Sequence, residues 1–216
     1  MRKVVLSVML IVGSVLGAMA QTDAQAKAIL AQVSKKYRSY DIIKADFTFT
    51  LNNPQAKLNQ SQSGTLYAKS KANKYKVVLK DQELISDGKS QWTYSKQDKE
   101  VELSEEDNSA NALNPAQIFT IYEKGFKYYY AGDSKLNNRV VHTIDLTPLD
   151  SKRSFFKIRL NVDKLSKQIS KTTIFDKNGN RYTYTIKAFT PNVKVSESIF
   201  AFDSKKHPGI EVVDLR

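Results

Sequence analysis

From Thr22 to Tyr40 the apolar residues Ala26, Ile29, Leu30, Val33 and Tyr37 return every three or four positions, with lysines and polar residues between them. That period predicts an amphipathic helix with one buried face. After Asp41 the period falls to two: Ala45, Phe47, Phe49 and Leu51 alternate with Asp46, Thr48 and Thr50, as in a strand buried on one side. The polar stretch from Asn52 to Gln62, with Pro54 inside it, reads as a loop leading to a strand at Gly64 to Lys69. Between Asn73 and Lys80, Tyr75, Val77 and Leu79 share one face and Lys74, Lys76 and Lys80 the other. One side is apolar and the other basic.

Short strands are predicted at Gln82 to Ser86, Ser90 to Ser95 and Lys99 to Ser104, with Asp87-Gly88-Lys89 as a turn. The acidic, polar run Glu105 to Asn111 reads as a loop. Asn114-Pro115 then has the form of a helix cap followed by Pro at the first helical position, with Ile118, Ile121 and Tyr122 as an apolar stripe and Gly125 as a stop. Strand patterns resume at Phe126 to Tyr130 and Arg139 to Leu146, and again where Phe156, Ile158, Leu160 and Val162 face away from Lys157, Arg159 and Asn161. After Gln168 to Asp176, the turn Lys177-Asn178-Gly179-Asn180 carries the Asn-Gly hairpin signal, and Tyr182, Tyr184, Ile186 and Ala188 share one face. Ser198 to Phe202 and Ile210 to Val213 are the last strand candidates. About eleven strands joined by short turns, with one N-terminal and one internal helix, predict a large curled antiparallel sheet or barrel with helices packed on it.

The first residues alter the compartment. Arg2 and Lys3, an apolar run from Val4 to Leu16 and Ala18-Met19-Ala20 form a secretory signal peptide cut after Ala20, leaving residues 21–216 as a single exported domain. Gln21, not Cys, follows the cut, so the thiol that lipoproteins use for N-terminal acylation is missing there and the chain is expected to be free in the periplasm. The chain contains no cysteine, so it has neither disulfides nor a thiolate metal site or nucleophile. Its formal charge of +12 suits an anionic partner or simple solubility, and nucleic acid is not expected in that compartment. The two histidines, His142 and His207, have no metal-ligand spacing. No nucleophile elbow, phosphate loop or zinc-helix motif is present, so enzyme chemistry is not expected.

Aromatic residues are plentiful, with eleven Tyr, ten Phe and one Trp. Most fall on alternating strand positions, where each is ordinary core material. A sheet of about eleven strands also encloses more space than short side chains fill, so some of them are expected to line a cavity for an apolar ligand.

One ordered set of motifs goes beyond this patterning: Gly64-Thr65-Leu66-Tyr67, Ser86-Asp87-Gly88-Lys89, Trp92-Thr93-Tyr94 and Val101. It resembles the LolA type of periplasmic outer-membrane lipoprotein carriers, which read G-x-L-W and then S-D-G-K-x-x-W-x-Y. The family's N-terminal helix corresponds to Thr22 to Tyr40 and its inner helix to Asn114 to Lys124. Its D-x-x-G hairpin corresponds to Asp176 to Gly179, its F-x-F strand to Phe200 and Phe202, and its P-x-G-V ending to Pro208-Gly209-Ile210. The resemblance implies an unclosed antiparallel β-barrel covered by lid helices around an apolar cavity. It implies a monomeric carrier without cofactor, which accepts acylated lipoproteins from an ATP-driven ABC-type exporter in the inner membrane and delivers them to the outer membrane, with or without a dedicated acceptor there. Exposing a 16-carbon chain to water costs roughly 13 kcal/mol at about 0.8 kcal/mol per methylene, which is why such cargo needs a carrier.

Under this resemblance Phe47, Phe49, Leu66, Tyr75, Val77, Leu79, Trp92 and Tyr94 are cavity or lid contacts, with Ile118 and Ile121 on the inner helix. Tyr75 matches the family's cavity aromatic. Lys69-Ser70-Lys71 stands where members read Lys-Arg-Pro, so the arginine that holds the family's lid closed has no counterpart, and Phe49 replaces a common glutamine. Two other readings fit the same pattern. One is a lipid- or glycolipid-sensing module without transport. The other is an outer-membrane barrel, which needs tilted strands of about 9 to 11 residues.

Overall fold

The computed structural model describes residues 23–107, 115 and 118–216. The expected leader with its cut after Ala20, the 108–111 part of the polar loop and the Asn114 cap lie outside them. Helix α1 covers 23–38, and its buried stripe of Ala26, Ile29, Leu30, Val33 and Tyr37 is the one that the three-to-four spacing marks. No helix among the described residues is long and apolar enough to cross a membrane.

Among the described residues twelve strands follow, one more than the pattern suggests: β1 Ile43–Asn53, β2 Leu58–Lys69, β3 Lys74–Val78, β4 Gln82–Ser86, β5 Ser90–Ser95, β6 Glu100–Glu105, β7 Phe126–Leu136, β8 Arg139–Pro148, β9 Phe155–Asp163, β10 Ile169–Asp176, β11 Arg181–Pro191 and β12 Glu211–Asp214. They form one sheet in the order β12-β6-β5-β4-β3-β2-β1-β11-β10-β9-β8-β7. The sheet is therefore unclosed, with β12 and β7 as its edges. Antiparallel pairing holds throughout except that β12 runs parallel to β6. The architecture is mainly β, a curled open sheet with a helix on it, as expected.

Local expectations change in five places. The polar stretch 52–62 is mostly strand, because β1 and β2 pair in register from Asn53↔Leu58 to Ile43↔Ala68 around a short turn in which Lys57 takes φ +52°. Backbone pairing, not burial, makes that strand, so it carries no apolar signature. The internal helix is not an α-helix in its described part: residues 118–120 are turns and Ile121–Glu123 is a single 3₁₀ turn. Glu197–Phe200 is also a 3₁₀ turn, capped by the Ser196 side chain, where the pattern predicts a strand. The remaining two changes are β-bulges. On β9, Phe175 pairs with Lys157 but Asp176 pairs with Phe155, so Phe156 is the extra residue and turns outward while Phe155 takes the core position. On β11, Ile186 pairs with Phe47 and Ala188 with Asp46, which makes Lys187 extra and brings Phe189, not Ala188, to the inner face. A one-residue insertion inverts every side chain beyond it.

The bulge on β9 separates two adjacent phenylalanines sharply. Phe155 is 2% exposed and stacks on Phe126 at 6.3 Å, whereas Phe156 is 51% exposed. Phe155→Ala is expected to cost about 3–5 kcal/mol in urea unfolding, and Phe156→Ala less than about 1 kcal/mol. Equal losses would contradict the inverted register.

Candidate functional site

The inner faces of β1, β2, β3, β4, β9, β10 and β11 converge on an apolar cleft of about 270 Å³. Its floor depends on a glycine. Gly64 pairs with Phe47, and a Cβ there would lie 2.7 Å from Leu79 Cδ2, 2.8 Å from Phe47 Cζ and 2.9 Å from the Val78 carbonyl oxygen. Only the missing side chain lets Phe47 and Leu79 meet over β2. Leu66 and Val77, themselves register partners, continue this wall, with Leu84 opposite Val77 on β4. Tyr184 and Ile186 enter from β11, directly beside Phe49 and Phe47. Phe49 and Tyr184 hold their ring centroids 5.1 Å apart. Among the described lining residues none is charged.

Pro115, Ile118 and Ile121 cover this cleft, and α1 holds the cover down. Tyr37 stacks on Phe119 at 4.9 Å, and Phe119 meets Phe189 edge-on at 5.8 Å. The Ser34 hydroxyl lies 3.2 Å from the Tyr122 hydroxyl, and Tyr128 donates to the Tyr122 carbonyl at 2.8 Å. Burial raises the pKa of the Tyr122 hydroxyl, so it stays neutral. The Arg38 guanidinium grips the Glu123 carboxylate through both Nε and Nη2. This pair joins helix to cover in a chain that lacks the arginine of its resemblance. At the position of that missing arginine, Ser70–Ala72 is a 3₁₀ turn, and the neighbouring Lys69 pairs with Glu197 and Asp41. A larger hollow of about 660 Å³ lies between α1 and Tyr122 to Tyr128. Lys27, Lys35, Arg38 and Glu123 line it beside Leu30, Tyr122 and Tyr128, so it is an open groove of mixed charged and apolar character.

Of the ten residues singled out from the sequence, Phe47, Phe49, Leu66, Val77, Leu79, Ile118 and Ile121 line the cleft. Tyr75, Trp92 and Tyr94 do not. Tyr75 is 1% exposed, and its hydroxyl donates to Gln91 Oε1 at 2.7 Å, with Glu106 Oε2 at 3.3 Å. Burial raises the Glu106 pKa, and hydrogen bonds from Ser86 and Tyr75 oppose that shift only in part. On β5, Thr93 is the residue opposite Leu84, so Trp92 and Tyr94 point to the other side of the sheet. There Tyr94 packs against Phe202 at 5.5 Å and His207 at 4.8 Å.

The Ser86-Asp87-Gly88-Lys89 motif likewise acts through the backbone. Asp87 Oδ1 accepts from the amides of Lys89 and Ser90, and Ser86 Oγ from that of Gly88. Gly88 has φ +92°, and a Cβ there would lie 2.7 Å from the Ala72 carbonyl oxygen. Sequence reasoning missed Leu84, Ile158, Ile174, Tyr184 and Ile186 as lining residues. The alternation at Tyr184 and Ile186 was visible, but not that β11 returns to lie beside β1.

A family profile described as "Outer membrane lipoprotein carrier protein LolA" matches residues 38–203, most of the chain. The chain belongs to the LolA family. The outer-membrane lipoprotein carrier protein of Haemophilus influenzae is 26% identical over 189 residues, covering 86% of this chain and 87% of the relative. Among solved structures, an uncharacterized conserved protein from Thermus thermophilus superposes with a TM-score of 0.56 at 13% identity, covering 88% of this chain and 99% of that one. LprF from Mycobacterium bovis gives 0.50 at 13% identity, covering 82% and 98%. These two likenesses show a shared fold.

Proposed function

We propose that this LolA-family protein is a periplasmic carrier that shelters the acyl chains of lipoproteins leaving the inner membrane and hands them on at the outer membrane. The observation that carries the reading is the uncharged cleft of about 270 Å³ between Phe47, Leu66, Leu79, Leu84 and Ile186, roofed by Ile118 and Ile121. Apolar contact of this kind is non-directional, so it holds a hydrocarbon chain without fixing cargo identity and can release it when the cover moves. The name of the Haemophilus relative supports the same reading. In this scheme the exported chain ends its leader at Ala20, works as a binding protein without a catalytic step, and meets an ABC-type exporter on one side and an acceptor on the other.

Protein purified from the periplasm is expected to show, in native mass spectrometry, a mass added by acylated protein or lipid, and to release lipoproteins from spheroplasts. A bare mass together with no release would sink the reading.

A further inference from the structure

The cleft is uncharged but not wholly apolar. Thr172, Tyr184 and Gln62 lie on one transverse line of the sheet: Thr172 on β10 pairs with Tyr184 on β11, Tyr184 with Phe49 on β1, and Phe49 with Gln62 on β2. Gln82, at the β3–β4 hairpin where its carbonyl accepts the Leu79 amide, is the fourth polar side chain of the lining. None of the four polar groups has a hydrogen-bond partner among the described residues. They are not sealed off either. Among the described residues the polar side-chain atoms wholly shut away without a partner are Arg153 Nε and Ser166 Oγ, both outside the cleft.

A chain that fills the cleft would strip water from the hydroxyl of Thr172, a residue 3% exposed, and would leave it unpaired at a cost that fully apolar lining residues would avoid. With Tyr184 and Gln82 half-buried beside it and Gln62 exposed, the four polar groups of this wall point to a ligand atom that pairs with them. Burial raises the Tyr184 pKa, so its hydroxyl remains a neutral donor. Threonine and tyrosine donate O–H, and the glutamine amides both donate N–H and accept. No cation or carboxylate is present in the described lining to neutralise a charged head. A neutral carbonyl fits this set.

Resting on the acyl-binding reading above, we propose that Thr172, Tyr184, Gln62 and Gln82 form a docking belt for the carbonyl at the head of an acyl group, as an ester or an amide, fixing which end of the chain enters first. The belt would make the protein discriminate acyl esters and amides from bare hydrocarbon, and both from an ionised fatty acid.

Displacement of the neutral fluorophore N-phenyl-1-naphthylamine tests this with four ligands of one chain length at pH 8: methyl laurate, N-methyl lauramide, dodecane and laurate. Tyr184→Phe and Thr172→Val remove hydroxyls without changing shape. Each is expected to weaken the ester and the amide about threefold to tenfold and to bind dodecane no more weakly than wild type, so the dodecane result also reports that the variants are folded. Wild-type protein is expected to bind laurate at least about tenfold more weakly than its ester. If only the ester or only the amide responds, the belt reads that linkage alone. Equal effects on dodecane and the esters, or no effect on any ligand, would overturn the belt while leaving the cleft as an acyl site. Failure of all four ligands to displace the probe would overturn the acyl reading as well.

Discussion

Leu84→Glu is expected to weaken binding of an uncharged acyl ligand about a hundredfold at pH 8 while the protein still folds. Leu84 is half-buried, sits opposite Val77 and faces the cleft, so the new carboxylate has water nearby when the cleft is empty and loses it when a chain enters. Among the described lining residues there is no cation to meet it. A desolvation cost of about 3 kcal/mol, modest for a carboxylate, corresponds to the hundredfold loss. The sign with pH follows. A chain in the cleft favours the neutral acid and raises its pKa, so affinity is lost as pH rises through that value and recovers as pH falls toward 5. Probe displacement by methyl laurate at pH 5 and pH 8, with thermal melts alongside, measures both. Wild-type affinity for the variant at pH 8 would place the ligand elsewhere, with the charged groove beside Lys27 and Arg38 as the next place to look.

Asp176→Ala is expected to lower stability by about 3 kcal/mol, roughly 6–12 °C in melting temperature for a chain of this size. Asp176 is buried at the β10–β11 hairpin. Its carboxylate accepts from the amides of Asn178 and Asn180, from the Asn180 side chain and from the Tyr182 hydroxyl. Asn180 Oδ1 in turn accepts from Asn53, which ties this hairpin to the β1–β2 turn. Burial disfavours the charge, yet these donors outweigh it and hold the Asp176 pKa below its ordinary 3.8. A depressed carboxylate contributes stability that is complete above the unfolded value and disappears as pH falls through the folded one. The gap between wild type and Asp176→Asn should therefore be constant above about pH 5 and close below about pH 4 in urea titrations. A gap independent of pH would mean that folding leaves the Asp176 pKa at its unfolded value.

The expected α1 stripe, the strands Gln82–Ser86 and Ser90–Ser95 and the Asn-Gly hairpin all match the structure. In each, local chemistry and tertiary burial demand the same thing. Legibility failed where the decisive partner is distant in sequence. Phe155 and Phe156 differ in fate because of how β9 pairs with β10, and Phe189 displaces Ala188 because of how β11 pairs with β1. Nothing local to either pair signals an inserted residue. Trp92 and Tyr94 alternate as well as any inner strand does, but the cleft takes the Thr93 side of β5. The polar lining was hidden for the opposite reason: Gln62 lay in a stretch read as a loop, and Thr172 looks like an ordinary strand residue. The family's glycine motifs were readable as patterns, and their cause, the collision of a Cβ with Leu79 and Val78 or with the Ala72 backbone, needed coordinates.

The two edges of the sheet, β7 and β12, share no ladder. A closed barrel widens only by breaking interstrand hydrogen bonds, whereas here the margins can part with every strand pair intact. What holds the cover over the cleft is side-chain contact, chiefly the packing of Tyr37 on Phe119 and Phe189 and the Arg38–Glu123 grip. Each such contact is individually weak, so the cover is held less stiffly than the hydrogen-bonded frame beneath it. On the carrier reading proposed above, a volume of about 270 Å³ is a lower limit on capacity, because a bulkier ligand would need only side-chain packing to give way.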